Sequence, residues 1–183
     1  MRKLILIISL CLALAGCEKK TEKPFGFEWG QSSSAIKAMQ LNGYLEASKD
    51  DGITQILLRD SPVKQDFLHD YFAYIDRNLG LIAVEGRSRV MNLSLESDAK
   101  SVAAIYNYLL SNIESEFEEK NSTPREKVHE SSLMPENERK IENNFAVEFR
   151  NGLVVATLKI QRQKGNDSIA WVSLTYALNP PKT

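Results

Sequence analysis

Leu153-Val154-Val155-Ala156-Thr157-Leu158-Lys159-Ile160-Gln161-Arg162 and Ile169-Ala170-Trp171-Val172-Ser173-Leu174-Thr175-Tyr176-Ala177-Leu178 decide the fold. Both stretches alternate, which is the side-chain period of a half-buried strand. In the first, Val154, Ala156, Leu158 and Ile160 fall on one face, and Val155, Thr157, Lys159 and Gln161 on the other. In the second, Ala170, Val172, Leu174, Tyr176 and Leu178 alternate with Trp171, Ser173 and Thr175. Gln163 to Asp167, with Gly165-Asn166, suits a hairpin loop. Pro180-Pro181 then ends the fold. An antiparallel sheet with one apolar face needs cover.

The cover is legible upstream. Between Asp98 and about Lys120, Val102, Ile105, Tyr106, Leu109, Ile113 and Phe117 recur at spacings of three and four, an amphipathic helix. Ser97 or Asp98 suits its N-cap, and Glu114, Glu116, Glu118 and Glu119 oppose the dipole at its far end. Tyr44–Ala47 and Ile53–Arg59 read as strands around the turn Asp50-Asp51-Gly52. Phe67–Asp76 and Leu81–Arg87 read as two more around Arg77-Asn78-Leu79-Gly80, the first apolar on both faces. Val90–Leu95 extends or follows the second. Phe25-Gly26-Phe27-Glu28-Trp29-Gly30 alternates like a short edge strand, and Ser32 suits the N-cap of a helix over Ser33–Asn42. Residues 121–137 are polar, with Pro124 and Pro135, and read as a flexible loop. Glu136–Asn151 fits two periods: Ile141, Phe145 and Phe149 a helix, Phe145, Val147 and Phe149 a strand. Its acidic start, Arg150 and Gly152 favour the helix. The expected class is α+β, an antiparallel sheet with two or three helices packed on it, forming one domain over residues 25–179. The opening order of strand, Gly, Ser and helix resembles that of small secreted bacterial domains of unassigned role, a likeness of fold alone.

The N-terminus carries a second message. Arg2 and Lys3 precede an apolar run from Leu4 to Gly16. The run is shorter than the ~20 residues of a membrane-spanning helix but has the layout of a secretory signal. Leu14-Ala15-Gly16-Cys17 resembles the lipobox of bacterial lipoproteins. The resemblance implies cleavage after residue 16, a diacylglyceryl thioether on Cys17, usually with an N-acyl chain, and anchoring in the cell envelope. Glu18 in place of Asp after the cysteine implies the outer membrane, facing the periplasm. Two or more acyl chains hold a protein stably where one does not. Glu18–Pro24 then forms a tether that spans at most ~25 Å.

The chain has 183 residues and a formal net charge of −1, two units more negative once Arg2 and Lys3 are lost. No basic stripe marks a nucleic-acid partner. Of its two cysteines, Cys11 leaves with the signal and Cys17 is alkylated, so no disulfide is expected. His69 and His129 are the only histidines. Neither has a second ligand at metal-binding spacing, and neither a cofactor nor a metal is expected. His69 beside Asp70 is a candidate catalytic pair, but a strand-surface histidine is the commoner case. Ser32-Ser33-Ser34 lies outside any Gly-x-Ser-x-Gly elbow and reads as a helix entry. Trp171 lies on the polar face of its strand, where an exposed indole would mark a contact and a covering helix would bury it. A covering helix is the commoner arrangement.

The leading expectation is an envelope lipoprotein that binds a protein partner without catalysis, with Lys159, Arg162 and Trp171 as candidate partner surface. Alternatives are a periplasmic inhibitor or immunity protein, and a cell-wall or lipid hydrolase built on His69 or a carboxylate pair.

Overall fold

The computed structural model describes residues 23–48, 52–117, 127–134 and 145–178. The expected signal, Cys17 and most of the expected tether lie outside them. Eight strands form one antiparallel sheet: β1 (Leu45–Ser48), β2 (Ile53–Leu58), β3 (Asp70–Asp76), β4 (Gly80–Arg87), β5 (Met91–Asn92), β6 (Ala146–Asn151), β7 (Val154–Gln163) and β8 (Asn166–Leu178). Their order across the sheet is β1-β2-β3-β4-β8-β7-β6, with β5 also on β8. Two helices are described: α1 (Ser33–Ala38), of six residues, and α2 (Glu96–Phe117), of twenty-two. The class is α+β, with most of the framework in the sheet and one main helix.

Register separates the two faces, because residues directly opposite in an antiparallel pair share a face. One row runs Ile56, Ala73, Val84, Tyr176, Ala156, Phe149 across six strands. All six are buried. α2 lies on this face with Val102, Ile105, Tyr106, Leu109, Leu110 and Ile113 buried, and its Glu116 accepts a hydrogen bond from the Tyr176 hydroxyl at 3.1 Å. The expected stripe is therefore the core-facing one. The helix begins at Glu96. Asp98, expected at its cap, instead accepts the Asn92 backbone N–H at 2.9 Å and ties β5 to the first turn.

Several expectations are corrected. Phe25–Gly30 is not a strand. Pro24–Gly26 is a 3-10 turn, with Phe25 at φ 54°. Phe25 is wedged edge-on between Tyr71 and Tyr176, ring centres 5.2 and 5.4 Å away. Phe27 is buried as well, so both aromatics enter the core and the chain cannot lie along a sheet edge. Helix α1 stops at Ala38 rather than Asn42, since Gln40 turns left-handed at φ 54°. β3 starts at Asp70, leaving Phe67 and His69 in the preceding loop. The third helix is absent where the chain is described. Residues 146–151 form edge strand β6, with Phe149 buried against Phe117 at 5.7 Å between ring centres; residues 136–144 lie outside the description. In the expected loop, residues 127–134 are docked, not free. The Asn107 side chain bonds both the N–H and the carbonyl of Val128, and Leu133 is buried.

Gly86 shows how closely the entry segment is fitted. A Cβ there would meet Leu68 Cδ1 at 2.7 Å, with the Phe25 and Tyr71 rings just beyond. No helix among the described residues is long and apolar enough to cross a membrane.

Candidate functional site

The face opposite α2 is where chemistry gathers. By register, one row runs Leu57, Phe72, Glu85, Thr175, Thr157, Glu148, and the next Asp70, Arg87, Ser173, Lys159, Ala146. Gln161 stands opposite Trp171. Four neighbouring strands, β3, β4, β8 and β7, thus bring Phe72, Tyr74, Glu85, Arg87, Trp171, Ser173, Lys159 and Gln161 to one surface.

Glu85 is the centre of it, and its carboxylate is buried. Arg87 Nε donates to Oε1 at 2.8 Å and Arg87 Nη2 to Oε2 at 2.9 Å. The Tyr74 hydroxyl donates to Oε2 at 3.1 Å, and Gln161 Nε2 to Oε1 at 3.0 Å. Each oxygen accepts two bonds, which fills the acceptor capacity of a carboxylate. The same Gln161 nitrogen reaches Ser173 Oγ at 2.8 Å, and Gln55 Nε2 donates to Tyr74 at 3.2 Å. Held by Glu85, the Arg87 guanidinium lies 4.1 Å from the Phe72 ring centre and 5.8 Å from that of Trp171, within cation–π range of both.

Burial alone would lower the Arg87 pKa, but the Glu85 carboxylate outweighs it and leaves the pKa raised. Tyr74 is raised above its ordinary 10.0, chiefly by burial and then by the Glu85 charge. The sign of the stability effect follows. From about pH 10 the unfolded chain releases tyrosine protons that folded Tyr74 still holds, so stability falls as pH climbs past that value. Denaturant midpoints should decline in that range, and less steeply in Tyr74→Phe. Tyr44, pushed up to about 12, and Tyr176 shift in the same direction, so the slope should shrink rather than vanish. An unchanged slope in the variant would show that folded Tyr74 holds its proton no more tightly than the unfolded chain does.

Trp171 is not covered by α2, which lies on the other face. It is half-buried by its neighbours instead. Its indole N–H is shut off from solvent and meets no acceptor among the described residues. Lys159 shares this face; Arg162 does not. Arg162 stands opposite Ala170 on the helix side, where its guanidinium bonds the carbonyls of Asp167 and, at 3.2 Å, Leu133. The sequence thus brought two of the three surface candidates to one place. It missed Phe72, Tyr74 and Glu85.

The catalytic candidates are placed apart. Asp70 pairs with Arg59, not His69, and the His69 backbone N–H donates to the Arg87 carbonyl at 2.8 Å. His129 caps a 3-10 turn, its Nδ1 accepting from the Ser131 N–H. Ser32 Oγ caps α1, accepting from Ala35 N–H at 3.2 Å, and lies 2.9 Å from Ser34 Oγ. These serines border a cleft of about 570 Å³ beside the β3–β4 turn. Asp76 also lines the cleft, but its carboxylate accepts the N–H groups of Leu79 and Asn78, which hold its pKa below the usual range. Among the described residues no group of three His, Cys, Asp or Glu side chains is gathered for a metal ion. No family model matches the chain, and neither a curated protein nor a solved structure matches it.

Proposed function

We propose that the protein is a lipid-anchored envelope lipoprotein that works by binding a protein partner on the sheet face opposite α2. The observation that carries the reading is Arg87, clamped by a saturated carboxylate between two aromatic rings. A saturated Glu85 has no lone pair left for proton transfer, but it presents Arg87 in a fixed orientation. Arg and aromatic side chains are the groups that dominate partner-facing surfaces. The Trp171 N–H, which meets no acceptor among the described residues, supports the same reading: a buried, unmet donor costs about 1–3 kcal/mol. Lys159 adds a rim charge, which tunes association rate and its salt dependence. The lipobox Leu14-Ala15-Gly16-Cys17 supports the anchor, and Glu18 the outer membrane facing the periplasm.

The test uses the full lipoprotein, crosslinked in membranes through a photoreactive group at Lys159 and, separately, at Lys100 on α2. A discrete adduct from 159 alone, lost in Trp171→Ala, is the expected result. Equal adducts from both positions would count against this face. Cys17→Ser should leave an uncleaved or soluble precursor. If that variant still fractionates with membranes after signal removal, Cys17 is not the anchor.

A further inference from the structure

The loop that precedes β3 joins the start of the domain to the outer side of α2. The Val63 N–H donates to the Phe25 carbonyl at 2.9 Å, so the loop adjoins the point where the chain arrives from Cys17. Farther along, the Tyr108 hydroxyl of α2 donates to Asp66 at 3.2 Å, and the Phe67 ring sits edge-on to Tyr108, 5.3 Å between centres. Three apolar or aromatic side chains are nevertheless in the open: Val63 is 57% exposed, Phe67 49% and Tyr108 39%. Single exposed apolar residues are ordinary. These three share one loop and its helix contact.

Phe67 adds an independent observation. Its φ is +69°, left-handed backbone that a bulky aromatic rarely adopts. Such strain persists where the surroundings enforce it, and it clusters at working surfaces. Here it holds a half-exposed ring outward.

We infer that Val63, Phe67 and Tyr108 form a contact surface for the phospholipid bilayer, seating the domain beside its own anchor. The inference rests on the proposed lipidation of Cys17. The seven residues Glu18–Pro24 reach at most ~25 Å, so the surface at the end of that tether never strays far from the headgroups. Charge there is nearly balanced: Lys23 pairs with Glu28 at 3.2 Å and Lys64 with Asp60 at 3.6 Å, which leaves the Asp66 carboxylate on Tyr108. Anionic lipid has little to attract, and the contact is apolar and interfacial, with Tyr108 suited to the headgroup level. With this loop against the membrane, the tether acts as a short leash and the domain keeps one orientation.

The test uses the full lipoprotein in vesicles of phosphatidylcholine, and of phosphatidylethanolamine with phosphatidylglycerol. Lys64→Cys, 79% exposed in its side chain, takes an environment-sensitive dye, and Lys159→Cys is the control. Lipid-borne quencher should reduce emission at 64 several-fold more than at 159, equally in both vesicle types and at any salt. Phe67→Asn, a residue at ease in left-handed backbone, should abolish the difference with a thermal midpoint no lower than wild type. Flotation with the vesicles but no lipid quenching at 64 would overturn the contact and leave the anchor standing. Failure to float would overturn the anchor and the contact with it. Shielding of 64 from aqueous iodide without lipid quenching would mean that a protein or a second copy covers the loop, and would also overturn it. So would a lowered midpoint in Phe67→Asn with quenching retained.

Discussion

Leu109→Ala should lower unfolding free energy by about 2–5 kcal/mol, the range for deleting a buried leucine side chain and leaving a cavity. Leu109 is 1% exposed and sits midway along α2, among Ile105, Tyr106 and Ile113 on the stripe facing the sheet. The surroundings cannot close over the gap easily. Helix side chains on this stripe pack on β5, β6, β7 and β8, and a sheet hydrogen-bonded across seven strands does not bend locally to fill a hole. At roughly 2–4 °C per kcal/mol for a domain of this size, the midpoint should drop by about 4–20 °C. A thermal melt or denaturant titration reads it. An unchanged midpoint would place Leu109 outside the core.

Glu85→Ala should cost about 2–3 kcal/mol, because it leaves a guanidinium, a phenol and an amide without their acceptor. Removing one partner of a fully buried pair costs more, about 3–5 kcal/mol. Arg87 keeps 29% of its side chain exposed, so water recovers part of the loss. The informative comparison is the double variant Glu85→Leu with Arg87→Met. Replacing both charges with apolar groups of similar volume is often neutral for stability. If the network exists to present Arg87, the double variant stays folded and loses the crosslink from position 159. If it still forms that adduct, the network is a packing device and the binding face lies elsewhere.

How much could be read from the chain alone depended on distance along it. The strands of the closing hairpin, the stripe of α2 and both faces of β8 follow from local periodicity, and all are found. β6 was misjudged because Phe145 and Phe149 satisfy both periods, and only the pairing of Phe149 with Ala156, set by β7, decides between them. Phe25 and Phe27 alternate as a strand would, but two rings drawn into one core bend the backbone instead. The site was harder. Phe72 and Tyr74 share a face, as do Glu85 and Arg87, and that much is visible. That β4 lies against β8, bringing Arg87 opposite Ser173, rests on a contact between residues far apart in sequence. Arg162 was grouped with Lys159 against its own strand phase: two residues after Ile160, it falls on the helix side, opposite Ala170.

The place of β8 has a consequence for how the protein is made. It comes after every other strand in the chain, yet it lies inside the sheet, bonded to β4 on one side and β7 on the other. Until Asn166–Leu178 has been delivered, β1–β4 and β6–β7 are separate ribbons with no strand between them to pair with. Pairings this distant close slowly. A chain emerging N-terminus first would therefore leave the two ribbons unjoined until Asn166–Leu178 arrives to pair with both.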